Sequence, residues 1–210
     1  MKSKKIYQNL EEYIKKKSKT IIKDKEGHID ESQVDFFINL LKKNKWIKKI
    51  GETGFNQGHS SASFLNNSKN TKIWSFDSNI HTYTNLGKKF IDMNFPKRHE
   101  LICGDSTKTL RQFKKKNKNF SFDLIFIDGG HSYRVSKEDI ENMKELSNNK
   151  TILVIDDILP NRAWGVGPTK ALEELVEKGV IGNVKFFDNF EALGKITRRW
   201  IMAKYIFKDK

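Results

Sequence analysis

Three aspartates stand at the ends of two short apolar runs. Phe122, Leu124, Ile125, Phe126 and Ile127 lead into Asp128, and Thr151 to Ile155 (TILVI) leads into Asp156 and Asp157. Runs of this length and composition read as strands buried on both faces. Gly129, Gly130 and His131 follow Asp128, so polar groups collect where a buried strand stops. Clustered carboxylates repel and raise one another's pKa, and a divalent cation is their natural partner. The expectation is that both strand ends face one pocket and hold one cation through Asp128, Asp156 and Asp157. An all-oxygen set suits Mg²⁺, or another divalent ion such as Mn²⁺. The competing reading of Asp156-Asp157 is a strand cap beside a solvated acid.

A second group sits earlier in the chain. Glu52-x-Gly54-x-x-x-Gly58-x-Ser60 marks a strand turning into a helix. Glycines there let the backbone approach a ligand, and a helix N-terminus offers free N–H groups to a carboxylate. An ordinary glycine-rich turn is the plainer reading, and the spacing is not the G-x-G-x-x-G of a dinucleotide fold. Asp77 closes the next strand, where an acid can chelate ribose hydroxyls. Asp105 and Ser106 follow a third strand, a place to meet an adenine edge. Helix capping competes for both Asp77 and Asp105. Repetition favours the site: successive strands each end in an acid at one sheet edge, where open α/β folds bind ligands.

The elements that must position these groups alternate. Strands are expected at Trp46 to Glu52, Ile73 to Phe76, Glu100 to Cys103 and the two runs above. Helical faces lie between them: Tyr83, Leu86, Phe90 and Met93, then Ile140, Met143 and Leu146, then the segment from Thr169 to Lys178. Val184 to Phe187 and Arg199 to Phe207 read as a closing antiparallel pair. Such alternation predicts an α/β fold, a doubly wound, mostly parallel seven-stranded sheet with a C-terminal antiparallel hairpin. Residues 1–45 read as an N-terminal helical extension, a cover or lid, with Val34, Phe37, Ile38 and Leu41 on one helical stripe. Residues 46–210 form the main domain, with no internal repeat and no linker.

Glu52-x-Gly54-x-x-x-Gly58-x-Ser60, Asp77, the GDS at 104 to 106 and the FIDGGHSY at 126 to 133 together resemble class I S-adenosylmethionine-dependent methyltransferases. The likeness runs from about Trp46 to the C-terminus. It is nearest to the metal-dependent O-methyltransferases that act on sugars, the macrocin and mycinamicin type. The resemblance implies S-adenosylmethionine as cofactor, held by Glu52, Gly54, Gly58, Ser60, Asp77, Asp105, Ser106 and Asp128. It implies magnesium at Asp128, Asp156 and Asp157, and a D-x-x-H pair, Asp128 and His131, with the histidine as catalytic base. Physical reasoning runs parallel: a cation lowers the pKa of a hydroxyl that touches it, and a neutral imidazole can take the proton.

The expected activity is therefore methyl transfer to a hydroxyl of a small-molecule or glycan acceptor, most naturally a sugar. A catechol-like small-molecule O-methyltransferase stays open, since the acid spacing permits both. RNA methylation is less favoured, because Gly129 and Gly130 follow Asp128 where amino-group methylases carry N-P-P-Y or D-P-P-Y. A basic nucleic-acid-binding protein that keeps a degenerate methyltransferase fold stays open because of the charge, and a dehydrogenase is least favoured.

Composition bounds the rest. The chain of 210 residues is long enough for one domain with a substantial core, and 37% hydrophobic with 31% charged residues describes a globular protein. No apolar run approaches the roughly 18 residues of a membrane span, and MKSKKIYQNL lacks the apolar stretch of a signal peptide. Cys103 is the only cysteine, which excludes an intrachain disulfide and a cysteine-based zinc site and suggests a reducing, cytoplasmic setting. It reads as an inert core residue. His59 and His81 read as surface residues near the cofactor loops, and Trp164 as either an acceptor-pocket wall or ordinary packing. A net charge of +14 would suit a polyanionic partner such as nucleic acid. Lysine supplies nearly all of it, however, while arginine forks suited to phosphate readout are few; codon bias and solubility are the preferred explanation. Homo-oligomerisation is left open.

Overall fold

In the computed structural model, residues 2–18, 29–190 and 196–207 are described. Residues 19–28 of the N-terminal stretch lie outside that set. Five strands run parallel: β1 (Lys49–Thr53), β2 (Lys72–Asp77), β3 (His99–Cys103), β4 (Leu124–Ile127) and β5 (Ile152–Ile155). β6 (Ile181–Phe190) and β7 (Ile196–Tyr205) form the antiparallel hairpin, and β7 also pairs antiparallel with β5. The order across the sheet is β3-β2-β1-β4-β5-β7-β6. The chain winds outward from β1 in one direction and then from β4 in the other, so the carboxyl ends of β1 and β4 flank the switch point.

Strand composition explains the two covered faces. Side chains alternate along a strand, and all four residues of β4 and of β5 are buried. Leu124, Phe126, Ile152 and Val154 join one core, whereas Ile125, Ile127, Leu153 and Ile155 join the other. The second core is closed by α5 (Ser106–Lys116), α6 (Tyr133–Lys144) and α7 (Val166–Glu177), through Leu110, Ile140, Met143, Leu172 and Leu175.

The first core is closed by α1 (Lys2–Lys17), α2 (Glu31–Lys43), α3 (His59–Asn67) and α4 (Thr82–Asn94). Leu10 and Ile14 of α1 and Val34, Phe37 and Leu41 of α2 are buried in the same cluster as Phe64 and Phe126. The Phe37 ring meets Phe64 at 4.7 Å and Phe126 at 5.0 Å, both edge-on, an arrangement aromatic pairs favour. The N-terminal helices thus share the main hydrophobic core. Asp30 caps α2, accepting from the Gln33 backbone N–H at 3.0 Å and so anchoring the start of that helix.

Candidate active site

β4 and β5 are neighbours in register at Ile127 and Ile155, so the residues just beyond them emerge side by side. One ligand atom from each of Asp128, His131 and Asp157 lies within 4.8 Å of the others. The His131 Nε2 is 3.0 Å from Asp157 Oδ2, and the imidazole is about half exposed. Asp157 has a left-handed backbone, φ 56, a conformation that aspartate, like asparagine, adopts more readily than most side-chain-bearing residues. Its N–H donates to Asp156 Oδ1 at 2.8 Å.

Asp156 is placed differently. Its side chain is fully buried, and Oδ2 accepts from Arg198 Nη1 at 3.0 Å. The same Nη1 donates to Gln33 Oε1 at 2.8 Å, and Arg198 Nε lies 3.5 Å from Asp30 Oδ2. Asp128 and Asp157 come together with His131, and Asp156 lines the same pocket while its Oδ2 rests on Arg198.

The electrostatics follow from that packing. Burial holds the Asp128 carboxyl well above the usual carboxylate range, and the charges of Asp156 and Asp157 push the same way. Asp156 is raised by burial and by Asp157, with Arg198 opposing. Arg198 can neutralise one of these three acids. The remaining pair, Asp128 and Asp157, carries the charge a divalent cation would balance, and with His131 it offers oxygen and nitrogen donors. The residues present therefore fit such an ion.

On the other side of the switch point, the turn after β1 is pressed against the end of β4. Gly54 has φ +83, and a Cβ there would sit 1.8 Å from the Asp128 carbonyl oxygen, so only glycine allows this approach. Asp77 fastens the same turn: its Oδ2 accepts from the N–H groups of Phe55 at 2.8 Å and Asn56 at 2.9 Å, and its Oδ1 from Asn79 at 2.6 Å. A carboxylate has about four acceptor positions, which leaves Asp77 one for a ligand. Gly58, also left-handed, begins α3.

Glu52 is fully buried beneath the turn. Its oxygens accept from the hydroxyls of Ser60, Ser61 and Ser75; burial raises its pKa and these three hydroxyls lower it. The structure thus brings Glu52 and Ser60 to each other. Ser75 gives its proton to Glu52, so His99 Nε2, 2.9 Å from Ser75 Oγ, is the donor in that contact. Burial holds His99 down at about 3, so it is neutral. Asp105 caps α5, accepting from Thr107 N at 3.1 Å and Thr107 Oγ1 at 2.7 Å, with Ser106 as the first helical residue.

Gln33, Asp139 and Arg198 border the site without belonging to any motif of the sequence. Gln33 and Asp139 are fully buried polar residues on the apolar sides of α2 and α6, and a polar residue interrupting a hydrophobic stripe is the signal that could have found them. Burial lifts Asp139 to about 7, and its Oδ2 would be 3.1 Å from a Cβ on Gly129.

Two expectations are corrected. His59 is buried rather than superficial, 4% exposed with the Tyr7 ring tilted against it at 4.3 Å, because α1 lies across the start of α3. Cys103 is exposed rather than in the core, because it ends β3 at the open edge of the sheet. His81 stacks on Tyr83 at 4.8 Å. Trp164 is 45% exposed, with the Arg162 guanidinium 5.7 Å from its ring.

Among known proteins, the methyltransferase-domain family matches residues 52–158, half of the chain. No curated protein matches by sequence. Among solved structures, the fold is similar to an O-methyltransferase from Bacillus cereus in complex with SAH, at a TM-score of 0.76 and 15% identity, covering 95% of this chain and 90% of that one. It is similar to an O-methyltransferase from Streptomyces achromogenes involved in tomaymycin synthesis, solved with SAM, at 0.75 and 13%, covering 95% and 89%. It also resembles a TDP-rhamnose 3'-O-methyltransferase of calicheamicin biosynthesis, at 0.59 and 14%, covering 94% and 93%. The sheet order, the turn after β1 and the acids at one edge are those of a class I methyltransferase fold. The chain belongs to the methyltransferase-domain family. No helix among the described residues is long and apolar enough to cross a membrane.

Proposed function

We propose that the protein is an S-adenosylmethionine-dependent O-methyltransferase, cation-assisted, acting on a hydroxyl of a sugar. The observation that carries this reading is the meeting of Asp128, His131 and Asp157 at the carboxyl ends of β4 and β5, beside a glycine turn that touches Asp128. Solved neighbours with the same fold carry SAH or SAM, and one acts on TDP-rhamnose.

Each group then has a role. The turn from Gly54 to Gly58 and the start of α3 receive the cofactor's amino-acid end, Asp77 its ribose, and the Asp105-Ser106 corner its adenine. Asp128 and Asp157 would hold a divalent cation, with Asp156 lining the same pocket and tied to Arg198. Such an ion, when bound, lowers the pKa of an acceptor hydroxyl. His131 turns Nε2 toward Asp157 at 3.0 Å, and its imidazole is the group suited to take a proton. As the acceptor oxygen forms its bond to the methyl carbon and the carbon–sulfur bond breaks toward sulfur, the hydroxyl proton passes to the His131 imidazole. Placement of the two reactants supplies much of the rate. Trp164, exposed on the loop between Asp157 and α7, offers a flat apolar face to a sugar ring.

A screen of nucleotide sugars, free glycans and catechols with labelled methyl donor, run with and without Mg²⁺, tests the proposal. Label entering the sugar pool only when Mg²⁺ is present supports it. Label entering catechols alone replaces the acceptor class, and transfer indifferent to chelator removes the cation.

A further inference from the structure

The structure assigns to Arg198 and Gln33 a positioning role: together they fix Asp156, which holds Asp157, so the amino end of α2 becomes part of the reacting site. This rests on the proposed function, since Asp157 is taken there as a cation-holding group.

Arg198 lies on β7, Gln33 on α2 and Asp156 at the end of β5, elements far apart in sequence. The guanidinium joins them: Nη1 donates to Asp156 Oδ2 at 3.0 Å and to Gln33 Oε1 at 2.8 Å, and Nε faces Asp30 Oδ2 at 3.5 Å. Asn189 Nδ2 donates to the same Asp30 oxygen at 3.0 Å, which closes the group from the hairpin side. Arg198 is only one-fifth exposed, Asp156 not at all, and Gln33 not at all. A buried, hydrogen-bonded arginine of this kind has little freedom to reorient, because breaking it leaves uncompensated buried charge.

The other oxygen of Asp156 carries the constraint onward. Oδ1 accepts the N–H of Asp157 at 2.8 Å, and Asp157 is the residue with the left-handed backbone and the 3.0 Å contact to His131. The path from Gln33 to Arg198, Asp156, Asp157 and His131 is thus continuous in contacts of 3.0 Å or less. Partners that orient metal-holding groups in this way commonly alter metal affinity when removed.

Gln33→Leu is the informative variant, because it keeps the volume, removes one hydrogen bond and changes no charge. Mn²⁺ binding followed by electron paramagnetic resonance should weaken about tenfold, with S-adenosylhomocysteine affinity within about twofold of the parent. Asp30→Asn, which retains a helix-capping side chain, should weaken Mn²⁺ in the same direction by less. Arg198→Lys, which keeps the charge but loses the fork joining Asp156 to Gln33, should weaken Mn²⁺ in the same direction. Mn²⁺ affinity unchanged in Gln33→Leu, with only the melting temperature lowered, overturns the positioning role. A parent protein that binds S-adenosylhomocysteine but no Mn²⁺ overturns the cation reading itself, and this inference with it.

Discussion

Gly167, at the start of α7, lies against the backbone of His131: a Cβ there would be 2.1 Å from the His131 carbonyl oxygen and 2.6 Å from the Tyr133 nitrogen. The amino end of α7 is therefore the wall that sets where the histidine loop runs. Both obstructing atoms are backbone, which cannot rotate away as a flexible side chain would.

Gly167→Ala should displace His131 while leaving the glycine turn after β1 untouched. The expected outcome is turnover reduced about 10- to 100-fold, since small misplacements at a reacting centre are costly, with calorimetric cofactor affinity unchanged. Equal loss of both would place the damage in the fold instead.

The acids should separate by substitution. Asp128→Asn and Asp157→Asn should lower turnover by about 100-fold or more, whereas Asp156→Asn, which keeps an oxygen for the Asp157 N–H, should lower it only about tenfold. Steady-state rates at saturating Mg²⁺ check this ranking. Equal loss at all three would make Asp156 a direct partner of the ion.

Much of this site was legible before any coordinates. Asp128, Asp156 and Asp157 end strands whose apolar runs are unmistakable, and parallel strands in one sheet carry such residues to one edge. The glycine turn and the closing hairpin were legible for the same local reason. What escaped depends on tertiary contact. Arg198 meets Asp156 across 42 positions and Gln33 across 165, and no periodicity reports such a pairing. Glu52 has the spacing of a ligand-facing acid, yet Ser60, Ser61 and Ser75 surround it. In the lysine-rich first helix, Leu10, Tyr13 and Ile14 form only a weak apolar stripe, enough to suggest a cover but not that Leu10 and Ile14 join the main core.

Asp77 should prove structural as well as cofactor-binding. Asp77→Ala removes the acceptor of the Phe55, Asn56 and Asn79 N–H groups, and leaving the buried Phe55 donor unpaired alone costs about 1–3 kcal/mol. Thermal denaturation should show a clear loss of stability, and Asp77→Asn, which retains an oxygen, a smaller one. Unaltered melting in both would mean these contacts contribute little.

Acid stability should depend on His99. The imidazole is held neutral, its pKa lowered to about 3 by burial and secondarily by Lys88, while Ser75 and the Phe55 ring lie against it. In the unfolded chain it takes a proton near its ordinary 6.5. Between those values the unfolded state binds the extra proton, so stability falls as pH drops below about 6.5, by at most about 1.4 kcal/mol per pH unit from this group. Denaturant titrations of the parent and of His99→Gln from pH 7 to 4 should diverge, with the variant flatter. Parallel curves would remove His99 as a cause.

The most direct measurement is a crystal structure of the protein with S-adenosylhomocysteine and Mn²⁺, using anomalous scattering to find the ion. The account predicts one manganese peak bonded to Asp128 and Asp157, next to cofactor density that runs from the Gly54 turn past Asp77. Manganese absent from these carboxylates, or cofactor bound elsewhere on the chain, would contradict it.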